Sequence, residues 1–290
     1  MSPTEPDLSL VQRPMSRTNG LANAHCINPQ LYAEESQALL CKQWAGPAMA
    51  TSIPNPGDAI PLTFFGIPLL LLRDQKGHLR VFQNTCRHRE MILLQEPRTI
   101  TGLIRCPYHS WCYSTCDKLV STPHVGGPGQ NTHPDIDRST LGLIDRSTLG
   151  LKEVRSTLWF DVMWINVSGD TAPFDCAMAE FDRPMYRAGK DSQIQLTVKT
   201  NWKLAVKNYC ESYHLPWVHP GFYSGQGMGV FQQIHDQNDR CFPDFEGLSD
   251  KWRTAAEYIA VYPNVFLGVH RGHTFEIIVN PEGPKKKPNI

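Results

Sequence analysis

Two short runs constrain this chain most: Cys86-Arg-His88 and Cys106-Pro-Tyr-His109, separated by seventeen residues. Each places a thiol and an imidazole on one tight loop, and the stretch between them is long enough to form strands that bring the loops face to face. Two thiolates suit one iron of a two-iron cluster and two imidazoles the other, a division that raises the reduction potential above that of an all-thiolate cluster. The donor set predicts a [2Fe-2S] cluster held by Cys86, His88, Cys106 and His109. Zinc is the rival, because two Cys and two His also make a structural tetrahedral site. Against zinc stand the single residue between Cys86 and His88, tighter than zinc-ribbon spacing, and the aromatic residues Tyr108, Trp111 and Tyr113 around the second run. Cys112 and Cys116 lack partners of their own and read as packed thiols.

The remaining composition narrows the setting. Nine cysteines form an odd set without the spacing of a disulfide framework. Lys plus Arg equals Asp plus Glu at 28 each, so no general electrostatic case exists for nucleic acid as a partner. The longest nearly uncharged apolar run, Ile60 to Leu72, is thirteen residues interrupted by Pro61, Gly66 and Pro68, too short to span a bilayer. Residues Met1 to Gly20 are rich in Ser, Pro and Thr without an apolar signal core, which reads as a loose leader in a cytoplasmic protein.

Patterning predicts an α+β chain in two parts. Residues 1–50 form a leader and a helix over Glu34 to Trp44, stopped by Gly46-Pro47. Residues 51–170 form an all-β domain, with strands at Leu69 to Leu72 and Leu79 to Phe82 about a corner at Asp74 to Gly77, and a closing strand at Leu158 to Val167. Inside it Ile136 to Leu143 is repeated without change as Ile144 to Leu151, one tandem copy read as a surface-loop insertion. Residues 171–290 form an α+β domain with a helix from Asn201 to His214 ended or kinked by Pro216, and strands at Tyr258 to Leu267 and Thr274 to Val279. The glycine-rich stretch Gly221 to Gly229 lacks the setting and lysine of a phosphate loop.

A second constellation follows that helix. Glu211 and His214 are three apart on one helical face, and Pro216 can turn His219 back toward them. Two imidazoles so placed suit Fe(II), which in oxygenases commonly takes two histidines and a carboxylate with positions left open.

Both constellations together resemble the Rieske-type non-haem iron oxygenases, the large (alpha) subunit family of aromatic ring-hydroxylating dioxygenases and related monooxygenases and demethylases. Cys86-Arg-His88 and Cys106-Pro-Tyr-His109 match the cluster motif, except that Glu90 and Ser110 stand where the family usually has glycine. Asn201-Trp-Lys203, Asn208 and the Glu211, His214, His219 pattern resemble the catalytic signature. The resemblance implies an N-terminal all-β Rieske domain followed by an α+β catalytic domain with an antiparallel sheet. It implies mononuclear Fe(II) at His214 and His219, with Asn208 near the iron. Glu211 would be a bridging carboxylate between a mononuclear-site histidine and a neighbouring subunit's cluster histidine, the counterpart of His109. It further implies a homotrimer, a ferredoxin and/or flavin reductase fed by NAD(P)H as electron donor, and O2 with a small organic substrate to hydroxylate or demethylate. Glutamate at the bridge resembles the minority that includes enzymes acting on quaternary ammonium compounds.

The family's carboxylate ligand lies on a late helix, whereas this sequence ends 71 residues after His219. Asp236, Asp239, Asp244, Glu246, Asp250, Glu257 and Glu276 all read as surface acids, and the catalytic domain is expected to be incomplete. The alternative expectation is a [2Fe-2S] electron-transfer or regulatory module without a complete mononuclear site.

Overall fold

A computed structural model describes residues 8–9, 11–14, 17, 20–125, 127–130, 149–178, 194–211, 214–218, 257–269 and 274–283. The chain divides into two compact units, Gly46–Asp170 and Met1–Ala45 with Thr171–Ile290. Most of the tandem repeat and all of Gly221 to Gly229 lie outside the described residues.

The first unit is built on strands. They are β1 (Ala45–Met49), β2 (Asp58–Phe64), β3 (Ile67–Arg73), β4 (Leu79–Gln83), β5 (Arg98–Thr99), β6 (Ile104–Arg105), β7 (Cys112–Tyr113), β8 (Leu119–Ser121), β9 (Arg155–Trp159) and β10 (Val162–Asn166). They form sheets in the orders β4-β3-β2-β5, β6-β7-β8 and β1-β10-β9. Strand β3 carries the unbroken run Leu69 to Leu72, all four fully buried, so both of its faces are covered. Its neighbours β2 and β4 pair with it antiparallel, with Leu71 opposite both Ile60 and Val81.

The corner between β3 and β4 is tied by Asp74. This wholly buried carboxylate accepts from the backbone N–H of Lys76 (2.8 Å) and His78 (2.9 Å) and from Arg80 Nε (3.1 Å). Such a turn fixes the hairpin register, and through it the point at which β4 hands the chain to Cys86.

Two sequence expectations are corrected here. The segment Leu158 to Val167 is not one strand but parts of two, because Phe160 and Asp161 both take positive φ (56° and 58°), the backbone of a tight hairpin turn. Gly46 and Pro47 lie within β1, at the edge of its sheet, where a missing N–H is tolerated.

The second unit is α+β. Its helices are α1 (Ala24–Ile27), α2 (Pro29–Glu35), α3 (Phe174–Ala177), α4 (Trp202–Tyr209) and α5 (Leu215–Val218), and a π-turn over Ser36–Leu40 follows α2. Helix α2 begins earlier than the sequence predicts, because Asn28 caps Gln30 N (2.8 Å) and Pro29 occupies the first position. It also ends earlier, since Trp44 is no longer helical.

Strands β11 (Glu257–Val261), β12 (Val265–Val269) and β13 (Thr274–Ile278) form an antiparallel sheet. The expected strand from Tyr258 to Leu267 is broken by a turn at Tyr262 to Asn264, which contains proline. Helix α4 docks on this sheet. Tyr209 stacks on Phe266 (4.4 Å between ring centres, 18°) and donates its hydroxyl to the Leu267 carbonyl at 2.8 Å.

Candidate metal centre

The two Cys-His runs fold into loops of one plan. Cys86 N donates to Met91 O (2.8 Å) and Glu90 N to Cys86 O (2.9 Å). Cys106 N donates to Trp111 O (2.8 Å) and Ser110 N to Cys106 O (3.1 Å). Each loop closes on itself over six residues and needs a left-handed residue at its fifth position. Glu90 (φ 55°) and Ser110 (φ 58°) occupy those positions. Glycine adopts this backbone without the Cβ clash that other residues meet.

Asn84 anchors the first loop from within. Its Nδ2 donates to Leu94 O (2.7 Å), its Oδ1 accepts from Leu94 N (3.0 Å), and its own N donates to Pro68 O on β3 (2.9 Å). Both ends of the loop are therefore tied to Asn84, which is itself bonded to β3 at Pro68. Cys86 and Cys106 themselves belong to that hydrophobic core, with Leu70, Leu72, Leu93 and Ile104.

The loops bring like donors together. Cys86 and Cys106 are close enough to interact as thiols, and burial first, then Cys106 itself, pushes the Cys86 thiol upward despite hydrogen bonds that oppose it. The His88 and His109 rings meet edge to face, 4.7 Å between centres at 64°. Burial, then His109 and Arg89, hold His88 below the ordinary imidazole range, so it stays neutral. His88 Nε2 and His109 Nδ1 are buried without a hydrogen-bond partner.

A buried nitrogen with no partner costs about 1–3 kcal/mol, and a metal is the partner that a neutral imidazole nitrogen can take. Among the described residues no three His, Cys, Asp or Glu side chains converge on one ion. The donors stand in twos, a thiol pair and an imidazole pair. This arrangement fits the two irons of a [2Fe-2S] cluster and does not fit a single tetrahedral zinc.

Aromatic residues that the sequence marked only as crowding have defined places. Tyr113 Oη lies 3.1 Å from Cys86 Sγ and accepts from Arg87 N at 3.0 Å. Trp111 stacks on His88, and Tyr108 leans on His109 with 3.8 Å between ring centres. The sequence signal was their position within seven residues of Cys106, which gives no partner. Cys112 donates to Ser110 O (3.2 Å) from a buried position, the packed thiol expected of it.

In the second unit, α4 stops at Tyr209, so Glu211 and His214 do not share its helical face. They meet all the same: Glu211 Oε1 lies 2.6 Å from His214 Nδ1, and Oε2 accepts from His214 N at 3.2 Å. With Nδ1 donating to the carboxylate, Nε2 carries the ring's lone pair. Pro216 does not break the first helix but sits in the opening turn of α5, where its missing N–H costs little. Asn208 is exposed near the end of α4. His219, Asp236, Asp239, Asp244, Glu246 and Asp250 lie outside the described residues, while Glu257 and Glu276 lie on β11 and β13.

An all-β unit holding paired Cys and His loops, followed by a unit in which helices pack on an antiparallel sheet, is the layout of a two-part redox protein. Residues 43–134 match the family described as Rieske [2Fe-2S] domain, and residues 185–288 match ring hydroxylating alpha subunit (catalytic domain). The chain belongs to the large-subunit family of Rieske-type non-haem iron oxygenases. It is 25% identical over 223 residues to the anthranilate 1,2-dioxygenase large subunit of Acinetobacter baylyi, covering 73% of this chain and 45% of that one. It is 25% identical over 261 residues to the carnitine monooxygenase oxygenase subunit of Acinetobacter pittii, covering 82% and 66%. The chain thus spans between under half and about two thirds of the length of these relatives.

Among solved structures, a quaternary ammonium Rieske monooxygenase superposes with TM-score 0.68 at 19% identity, over 90% of this chain and 71% of that one. Naphthalene 1,2-dioxygenase from Rhodococcus gives 0.65 at 18% identity, over 91% and 70%. These likenesses establish the shared fold. Among the described residues, no helix is long and apolar enough to cross a membrane.

Proposed function

We propose that this chain is a one-electron carrier of the Rieske oxygenase type, in which Cys86 and Cys106 bind one iron of a [2Fe-2S] cluster and His88 and His109 the other. The observation that carries the reading is the pair of buried, partnerless imidazole nitrogens beside two adjacent thiols. When bound, the cluster supplies single-electron storage at a potential raised by its two neutral ligands. The chain's own residues exclude water from the thiol pair, keep His88 neutral and orient both rings. The electron donor in this reading is a ferredoxin, a flavin reductase or both in series, and the location is the cytoplasm.

A second, fuller reading rests on the Glu211–His214 contact. There His214 and His219 hold mononuclear Fe(II), Asn208 lies near it, and Glu211 orients His214 and links it to a partner subunit's cluster histidine in a homotrimer. The activity would be O2-dependent hydroxylation or demethylation of a small organic substrate. The carnitine, glycine betaine and choline monooxygenases among the relatives favour a quaternary ammonium substrate, and the anthranilate and biphenyl dioxygenases an aromatic one.

Anaerobic reconstitution with iron and sulfide, followed by metal analysis, tests both readings. Two irons and two sulfides per chain support the electron carrier, and a third iron supports the oxygenase. Zinc without sulfide would overturn both.

A further inference from the structure

His88 lies flat against Trp111, with 4.6 Å between ring centres and only 7° between planes. The two come from different loops: His88 from the first, Trp111 from the second, two residues past His109. Trp111 is itself set in the core. It is 2% exposed within the core, and its carbonyl accepts from Cys106 N at 2.8 Å.

The indole has no packing reason to be an indole. Its Nε1 is buried without an acceptor, a cost that a purely hydrocarbon ring of similar size would avoid. The imidazole, in turn, has no plane of its own, because rotation about the Cβ–Cγ bond of histidine is broad and roughly two-fold. What remains to set the ring is the indole on one face and the His109 ring against it at 64°.

We propose that Trp111 is the positioning residue of His88: the second loop's indole sets the plane of the first loop's imidazole and hence the direction of its metal-binding lone pair. This rests on the cluster reading above. The stacked π face also adjusts the electron density the imidazole can give its iron, so the effect reaches the electronic structure of the centre as well as its assembly.

The test uses the full chain reconstituted with iron and sulfide, comparing wild type with W111F, W111L, W111M and F82L. Phe82 is a fully buried member of the same core, and its truncation controls for general loss of packing. The readouts are iron and sulfide content, the g-values of the reduced protein, the nitrogen couplings of its histidine ligands and the midpoint potential. W111F keeps a stacking face and should retain the wild-type spectrum. W111L keeps bulk without a face, and should shift the g-values and one of the two nitrogen couplings. F82L should lose stability with the spectrum unchanged. A fully loaded W111L with wild-type couplings and potential would overturn the inference. If W111L takes up no iron, W111M decides by the same criterion, its flexible chain filling the volume without a ring. A wild-type chain that binds no iron and sulfide would refute the cluster reading instead, before any variant is compared.

Discussion

The phenol oxygen of Tyr113 lies 3.1 Å from Cys86 Sγ and at the same time accepts the N–H of Arg87 at 3.0 Å. Burial first, and then the Cys86 contact, hold the Tyr113 hydroxyl far above its ordinary range, so it remains a proton donor at every working pH. When Cys86 is a thiolate, that proton points at sulfur. A donor on a ligand sulfur favours the more negative, reduced state. Y113F is expected to bind iron and sulfide normally but to show a lower midpoint potential. Each tenfold change in the balance is worth about 59 mV for one electron, so a fall of tens of millivolts in a redox titration is the expected result. An unchanged potential would remove Tyr113 from the site.

The two cluster loops carry avoidable strain. Glu90 and Ser110 hold left-handed backbone at corresponding positions of the two loops, where a residue with a Cβ costs roughly 1–2 kcal/mol. Neither side chain is buried. E90G and S110G are each expected to stabilise the chain by about 1 kcal/mol after allowing for glycine's greater unfolded-state entropy. Urea denaturation of the reconstituted protein reads this as a higher midpoint for each, with the double variant close to additive.

Asp74 predicts a pH dependence. Burial pushes its carboxyl up, but the His78 N–H, the Arg80 guanidinium, the Lys76 N–H and the His78 ring together outweigh it and hold the group at about 2. The unfolded value is about 3.9. A depressed folded pKa gives stability that is complete above the unfolded value and is lost as pH falls through the folded one. The contribution, about 2 to 3 kcal/mol, should therefore disappear between about pH 4 and pH 2. D74N should be less stable than wild type at pH 7 and should flatten the stability profile across that acid window. Equal slopes in the two proteins would refute the assignment.

The Glu211–His214 contact makes a kinetic prediction within the oxygenase reading. E211Q keeps the size of the side chain but removes the negative charge that holds the Nδ1 proton. Its cluster spectrum should match wild type, while substrate-dependent oxidation of the reduced protein in a single turnover should slow by roughly 10- to 100-fold. Wild-type single-turnover rates would count against a bridging role.

Local pattern made much of this protein legible. The Cys-X-His and Cys-X-X-His pairs were readable because ligand chemistry depends on residue type and short spacing, which a linear text preserves. Strand β3 was readable because a run of four leucines between turn residues can only be a buried strand or a buried helix, and the flanking prolines and Asp74 corner exclude the helix. The helix after Asn201 was visible through its apolar positions but not its end, which falls at Tyr209, the residue whose ring stacks on Phe266 and whose hydroxyl donates to Leu267. The hairpin at Phe160-Asp161 was hidden because phenylalanine, unlike aspartate, is not a usual left-handed residue, and only the pairing of β9 with β10 imposes that backbone on it.

The sequence by itself determined which atoms could bind metal and which family the chain resembles. Tertiary structure decided which of those atoms face one another: thiol with thiol and imidazole with imidazole, the thiols buried and one nitrogen of each ring buried without a hydrogen-bond partner. It also recruited Asn84, Trp111 and Tyr113, whose roles depend on contacts across 10, 23 and 27 residues of chain. Spacing along the chain carries the identity of ligands, but the plane of an imidazole and the donor on a sulfur are set by neighbours that folding alone brings within reach.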